Sequence, residues 1–249
     1  MTQAPDDRAL LELVGEVLGL LEVDEFRRGV LEALLRAVPA KWSSLNELRP
    51  DGVTALVTPH LDAEWFDRFA ELAHENVLYQ HFRRRGDGRA HRFSDVATRE
   101  EVEATRLYRE VYEPLGIHHQ VAFVLPSASE TVLAIVLHRE DRDFSDAECD
   151  FLNRARPFLI QTYRNAVAHS NLQRRSLDAL EGALVGHGLT AREAEVLRFV
   201  ALGGSNRDVA DRLGVSDRTV QKHLERSFRK LGVTSRSAAA ARVWQLATG

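Results

Sequence analysis

The stretch GLTAREAEVLRFVALGGSNRDVADRLGVSDRTVQKHLERSFRKLGVTSR, Gly188 to Arg236, is punctuated so densely that its elements can be read residue by residue. Thr190 followed three residues later by Glu193 has the form of a capping box. Ala194, Val196, Leu197, Val200 and Leu202 supply the apolar set of the helix it opens. Gly203-Gly204 stops that helix. Ser205 is placed to cap the next one, Asn206 to Leu213, whose inward face is Val209, Ala210 and Leu213. Gly214-Val215 makes a tight turn, and Ser216 caps a third helix from Asp217 to Leu231. Gly232-Val233 ends it, and Thr234 or Ser235 opens a fourth helix running through Leu246.

A short helix, a Gly-containing turn and a second helix form the supersecondary unit of helix-turn-helix proteins. On the wheel of the third helix Val220, Leu224, Phe228 and Leu231 share one face and must pack inward. The opposite face carries Asp217, Arg218, Gln221, Lys222, Glu225, Arg226 and Arg229. Gln can pair with adenine, Lys with guanine and Glu with cytosine, so this face holds groups able to read base edges. The plainer reading is the solvated face of an ordinary helical hairpin.

Against that plainer reading stand five motifs in order. They are Gly-Leu-Thr-x-Arg-Glu-x-Glu-Val-Leu at 188–197, Gly-x-Ser-Asn-Arg at 203–207 and Ala-x-x-Leu-Gly-Val-Ser at 210–216. Thr-Val-x-x-His-Leu at 219–224 and Lys-Leu-Gly-Val-x-Ser-Arg at 230–236 follow. The set resembles the C-terminal DNA-binding domain of LuxR-type transcriptional regulators, an all-α four-helix helix-turn-helix domain, over residues 188–249. The resemblance implies double-stranded DNA as partner and residues 206–225 as the helix-turn-helix unit. It places Gln221 and Glu225 where many members carry Lys or Arg, with Lys222 between them and Arg218 and Arg226 alongside. Ser205, Asn206, Arg207, Thr219, His223, Arg229, Lys230 and Arg236 are then candidate phosphate contacts. The fourth helix matches the family's dimerisation helix, with Ala239, Ala240, Val243 and Trp244 as the homodimer set.

Upstream, residues 8–22 and 24–38 read as amphipathic helices, and Trp42 to Leu48 with Val53 to Val57 as a hairpin around Arg49-Pro50-Asp51-Gly52. Helices are expected at 62–82 and 99–114, on either side of a basic, glycine-punctuated loop from Arg83 to Arg89. Val121 to Leu125 and Val132 to Leu137 read as an antiparallel pair joined by Pro126-Ser127-Ala128-Ser129-Glu130. Ser145-Asp146-Ala147-Glu148 caps a long helix that Pro157 kinks. Helices flanking a small antiparallel sheet describe an α+β domain, and the element order resembles the GAF/PAS class of sensor domains. The expected organisation is a GAF/PAS-like sensor or dimerisation domain at 1–166, a helical linker at 167–187 and the helix-turn-helix domain at 188–249. In the linker Leu172, Leu177, Leu180 and Leu184 read either as a dimer seam or as part of a solvated helix.

In LuxR-type proteins the upstream domain sets the input. A phosphorylated receiver would begin strand-first with an acidic pair, and an ATP-binding regulator would carry a Gly-rich Lys-Ser/Thr loop; neither pattern is present. The Tyr/Trp/Asp pocket pattern of the acyl-homoserine-lactone branch is not recognisable either. A small-molecule effector, a protein partner, a purely dimerising orphan domain and, as an alternative on its similar length and helix-sheet order, an acyl-homoserine-lactone-type quorum-sensing regulator are the readings left. A pocket would lie between the sheet and the helices at 62–82 and 99–114, lined by Trp42, Trp65, Phe66, Tyr79, Tyr108 and Phe123, although aromatics at helical spacing are more often core.

Charge sharpens the division. The chain of 249 residues carries 33 Lys+Arg against 37 Asp+Glu, a net −4 that taken whole speaks against nucleic acid. Residues 188–249 alone hold 11 basic and 6 acidic side chains, +5, and the preceding 187 residues hold 22 and 31, −9. The average hides a basic head on an acidic domain. No nucleophile elbow, zincin motif or paired-carboxylate setting points to an enzyme. No cofactor and no metal are expected: His118-His119 as strand neighbours point apart, and Cys149 sits among acidic residues that disfavour a thiolate. The absence of an apolar run of about 18 residues and of a signal peptide predicts a cytoplasmic, non-membrane protein.

Overall fold

Alternation along two apolar strands sets the architecture of the N-terminal region. In β4 (His119–Leu125) Val121, Phe123 and Leu125 face one core, while Gln120, Ala122 and Val124 face the other side. In β5 (Val132–Arg139) Leu133, Ile135 and Leu137 oppose Ala134, Val136 and His138 in the same way. Successive strand side chains point to opposite faces, so both faces of this sheet are dressed for burial. With β1 (Trp42–Arg49), β2 (Gly52–Thr58) and β3 (His91–Arg92) the strands form one antiparallel sheet in the order β2-β1-β5-β4-β3.

The computed structural model describes residues 5–49, 52–126 and 131–248. The expected turn residues Pro50 and Asp51, and Ser127 to Glu130 of the β4–β5 connection, lie outside the described residues. The chain divides into two units, Met1–His169 and Ser170–Gly249.

In the first unit α1 (Asp7–Leu18), α2 (Val23–Ala37) and the first part of α7 (Asp146–Gly186) cover one face of the sheet. Leu13, Val17, Phe26, Val30, Phe151 and Leu159 meet Phe123 and Ile135 there. The other face is covered by α3 (Ala63–Leu72), α4 (Val77–Arg85), α5 (Phe93–Val96), α6 (Arg99–Glu103) and a π-helical turn at Tyr108–Tyr112. Leu72, Leu78, Phe82, Leu107 and Val111 pack there with Ala122 and Val136. This is the α+β, GAF/PAS-like arrangement expected from the element order.

Two expected helices are each broken, and the causes are polar. The helix at 62–82 is interrupted by a 3₁₀ turn, Ala73–Glu75, after which Asn76 starts α4 by accepting the Leu78 and Tyr79 N–H groups at 2.9 and 3.2 Å. The helix at 99–114 stops at Glu103, where Thr105 accepts the Tyr108 N–H at 3.1 Å and donates to the Val102 carbonyl at 2.8 Å. The Glu75 carboxylate accepts the Arg106 and Leu107 N–H groups at 2.6 and 3.3 Å, fixing the turn that follows. Arg83, Arg84 and Arg85 belong to α4 rather than to a loop, and Gly86 closes it at φ 66°, a conformation that suits glycine. The short β3 and α5 follow, in a stretch for which the sequence reading expected no element. Helix α7 continues through Pro157 to Gly186.

The second unit holds the end of α7, α8 (Ala191–Ala201), α9 (Asn206–Leu213), α10 (Asp217–Leu231) and α11 (Arg236–Thr248). Leu197, Val200, Val209, Val220, Leu224 and Val243 form its core. Leu180 and Leu184 are buried in that same core, so half of the leucine series read as a dimer seam or solvated helix is spent inside the chain, and of the four Leu172 alone is exposed. Among the described residues no helix is long and apolar enough to cross a membrane.

Candidate nucleic-acid interface and sensor cavity

Helix α10 is amphipathic to the point of having two separate tasks. Val220 and Leu224 are buried with Ser227, and Phe228 and Leu231 close the inner face. Ser216 accepts the Thr219 N–H at 3.2 Å, and its hydroxyl lies 2.8 Å from that of Thr219, so the helix start is tied by its own side chains. On the outside Arg218, Gln221, Lys222, Glu225, Arg226, Arg229 and Lys230 are exposed. Gln221 donates to Glu225 at 3.2 Å one turn on, which holds the two candidate base-reading side chains together. Gly214, at φ 64°, ends α9 and allows the turn into α10.

The remaining candidates are partly committed inside the unit. Ser205 and Asp208 make a reciprocal box at the start of α9, with Asp208 accepting the Ser205 N–H at 2.8 Å and its hydroxyl at 2.7 Å. Arg207 beside them is exposed. Arg236 donates to Asn206 Oδ1 at 2.9 Å and to the Gly204 carbonyl, pinning the first turn of α11 to that of α9. Lys230 donates to the buried Glu193 at 2.6 Å. Burial alone would raise the Glu193 carboxyl, but hydrogen bonds from Lys230 and Thr190 hold it below the usual range. Thr219 and His223 are half-buried. Lys230, Arg236 and Asn206 therefore have structural partners that the sequence did not announce.

The first unit has a cavity on the sheet face opposite α1 and α2. Its interior room is about 40 Å³, rising to about 480 Å³ when the open mouth and the solvent in it are counted, and Trp42, Trp65, Phe66, Phe69, Tyr79 and Tyr112 form much of its wall. Its floor is polar. Trp42, His138 and Gln120 stand opposite one another across β1, β5 and β4, and Ser44 and Asn46 follow Trp42 on the same face of β1. His138 lies 2.9 Å from Ser44 Oγ through Nε2 and 3.0 Å from Gln120 Nε2 through Nδ1. Asn46 donates to Ser44 Oγ at 3.0 Å, and Asn76 donates to the Tyr112 hydroxyl at 2.8 Å. Burial drives the His138 imidazole down to about 3 and the Tyr112 phenol up to about 12, so both are neutral.

Of the six side chains expected to line a pocket, Trp42, Trp65, Phe66 and Tyr79 do so. Phe123 does not: one position of alternation puts it in the core under α1, α2 and α7. Tyr108 lines a neighbouring cleft instead, with its hydroxyl 2.9 Å from His118 Nδ1. His118 precedes β4, so it and His119 border the same cleft rather than pointing apart, but they take different partners, Tyr108 and Asp143. Among the described residues no three His, Cys, Asp or Glu side chains are grouped to hold a metal ion. Cys149 is buried, which pushes its thiol up to about 11.

Residues 187–243 match the family described as bacterial regulatory proteins, luxR family. They are a luxR-family domain. A segment of 48 residues is 54% identical to an HTH-type transcriptional regulator of Mycobacterium bovis, covering 19% of this chain and 5% of that protein. A match of 24% identity over 230 residues to an HTH-type transcriptional regulator of Sinorhizobium fredii covers 90% of this chain and 65% of that protein. This chain thus spans a small part of the first relative and less than two thirds of the second. The VqsR LBD domain of Pseudomonas aeruginosa superimposes with a TM-score of 0.55 at 19% identity, covering 65% of this chain and 98% of that one. That likeness shows a shared fold.

Within the luxR-family domain the four residues expected at a dimer surface separate by helix geometry. Ala239 and Val243, one turn apart, are wholly buried in the domain's own core. Ala240 is half-buried, and Trp244 is exposed, with its indole N–H donating to the Ala201 carbonyl at 3.3 Å. In the first unit the sequence reading missed Ser44, Asn46, Gln120 and His138. The signal in β1 is a pair of polar residues, Ser44 and Asn46, at alternate positions of one face, and in β4 and β5 a single polar residue, Gln120 or His138, at the end of an apolar alternation.

Proposed function

We propose that this chain is a one-component transcriptional regulator. Residues 188–249 bind double-stranded DNA at a pseudo-palindromic operator as a homodimer, 1–166 set the activity through a small ligand or partner, and 167–187 connect the two. The observation that carries the reading is the outer face of α10, where Arg218, Gln221, Lys222, Glu225, Arg226 and Arg229 stand exposed opposite an inner row of Val220, Leu224, Phe228 and Leu231 inside a luxR-family domain. Exposed cations supply the sequence-independent phosphate attraction, and Gln221, Lys222 and Glu225 supply groups that discriminate bases. Of the four residues proposed for the dimer contact, Ala240 and Trp244 reach the surface. The relatives' description as transcriptional regulators supports a regulator rather than an enzyme, acting in the cytoplasm. The test is selection of operator fragments by the full chain, followed by gel shift against salt. Sequence-selective retention lost in Gln221→Ala and Lys222→Ala is the expected result. A full chain that retains no fragment above background, or variants with unchanged binding at every salt concentration, would overturn the assignment.

A further inference from the structure

We propose that the cavity of the first unit binds a neutral, ring-sized molecule bearing an adjacent acceptor and donor, as in a carboxamide or lactam, through Ser44 and Gln120. The inference rests on reading this domain as a small-molecule sensor and specifies what it senses.

Hydrogen-bond accounting on the floor of the cavity gives the pattern. Gln120 Nε2 is an amide nitrogen and can only donate, so His138 Nδ1, 3.0 Å away, is the acceptor nitrogen of the ring. A neutral imidazole then carries its proton on Nε2, which donates to Ser44 Oγ at 2.9 Å. Asn46 Nδ2 donates to the same oxygen at 3.0 Å. Ser44 Oγ has accepted twice, and its own O–H is left for an acceptor. Gln120 Oε1 sits on a side chain with no exposure and has no hydrogen-bond partner among the described residues. An unpaired buried acceptor carries the full desolvation penalty, which a donor on a bound molecule removes. The Ser44 O–H and Gln120 Oε1 thus flank His138 in a cavity that both residues line, with the Tyr112 hydroxyl, which accepts from Asn76, beside Gln120.

Charge and shape narrow the class. No Lys, Arg, Asp or Glu side chain lines the cavity among the described residues. His138 stays uncharged because burial disfavours its protonated form. An anion entering here would lose its hydration with no counter-charge to replace it. The wall is aromatic, and Trp42, Trp65, Phe66 and Phe69 are only half-buried, so their faces are available to a planar guest.

The experiment uses the full chain and three single-ring probes: benzamide, benzoate and toluene. Tryptophan fluorescence reports binding, since Trp42 and Trp65 stand in the wall, and thermal shift provides the second readout. Benzamide is expected to give saturable quenching and a raised Tm, with affinity at least about tenfold above that of benzoate at pH 7.5. Ser44→Ala and Gln120→Met are each expected to weaken benzamide by about tenfold while leaving toluene within about twofold, and Ser44→Thr, which keeps the hydroxyl, to restore benzamide binding. Should Gln120→Met fail to fold, the Ser44→Ala and Ser44→Thr pair decides alone. Benzoate binding as tightly as benzamide overturns the proposal, as does benzamide affinity unmoved by the variants. A cavity that takes toluene and rejects benzamide keeps the sensor reading but overturns the amide class. One that takes none of the three overturns both.

Discussion

The luxR-family domain keeps its working polar groups outside and the first unit keeps them inside. On α10 the charged and amide side chains are already hydrated and cover a mostly apolar interior, in which Glu193 and Ser227 are the buried polar side chains among the described residues. On the sheet Ser44, Asn46, Gln120 and His138 are no more than 8% exposed and must find partners or carry a desolvation cost. Surface groups on a helix can therefore be exchanged with little effect on folding, whereas each buried polar group on the sheet is tied to its neighbours. Recognition and stability are separable in one unit and coupled in the other.

The largest effect that sharpens this contrast belongs to the first unit's two faces. Phe123→Ala removes a ring from the core under α1 and α2 and is expected to cost about 3–5 kcal/mol, against about 1–2 kcal/mol for Phe66→Ala in the half-open cavity wall. Urea unfolding followed by far-UV circular dichroism measures both. Equal losses would mean that the two rings have equivalent surroundings, and the division of the sheet into a closed face and a ligand face would fail.

A second test uses pH, because the first unit alone buries a neutral histidine in this way. The folded His138 imidazole is depressed to about 3 while the unfolded one titrates near its ordinary value of about 6.5. Below about pH 6.5 the unfolded chain takes up a proton that the folded chain refuses, so stability present at neutral pH is lost as pH falls from there towards 3. His81 and His119, both lowered chiefly by burial, add to the same trend, and Glu148, held at about 2 against burial by Arg139, Ser145 and Arg142, adds to it below about pH 4.5. His138→Gln should make the loss of stability between pH 7 and 5 smaller by about 2 kcal/mol. Parallel curves for the two proteins would place the titration elsewhere.

How much of this was legible follows from where each signal resides. The helix-turn-helix elements were readable because Thr190, Ser205, Ser216, Gly214 and Gly232 act on their own neighbours in the chain, and caps are local chemistry. The breaks in the helices at 62–82 and 99–114 were not, because the groups that make them reach across the fold: Asn76 also holds Tyr112, and Glu75 caps a turn 31 residues away. Phe123 was misplaced because an apolar strand buried on both faces gives no hint of which face is which. The polar floor went unseen because Trp42, His138 and Gln120 become a row only once β1, β5 and β4 are in register.

The same distinction runs inside the luxR-family domain, between two lysines eight positions apart. Lys230→Met leaves Glu193, 4% exposed, with only its Thr190 partners. A cost of about 1–2 kcal/mol is expected, below the about 3–5 kcal/mol for breaking a fully buried pair because the Lys230 side chain is itself 37% exposed.

Lys222→Ala gives the smallest expected change in stability, within about 0.5 kcal/mol, since the side chain is exposed and has no ion-pair partner among the described residues. Its effect belongs to DNA. If Lys222 meets a phosphate, its loss weakens binding to all sequences alike and reduces the slope of log affinity against log salt by about 1. If it meets a guanine edge, the slope stays and discrimination at one operator position falls by about 1–3 kcal/mol. Denaturation and salt-dependent gel shift on the two lysine variants separate a residue that holds α10 in place from one that α10 presents. Should Lys222→Ala unfold the domain, or Lys230→Met change the salt slope without changing stability, the assignment of inner and outer roles along this helix would be reversed.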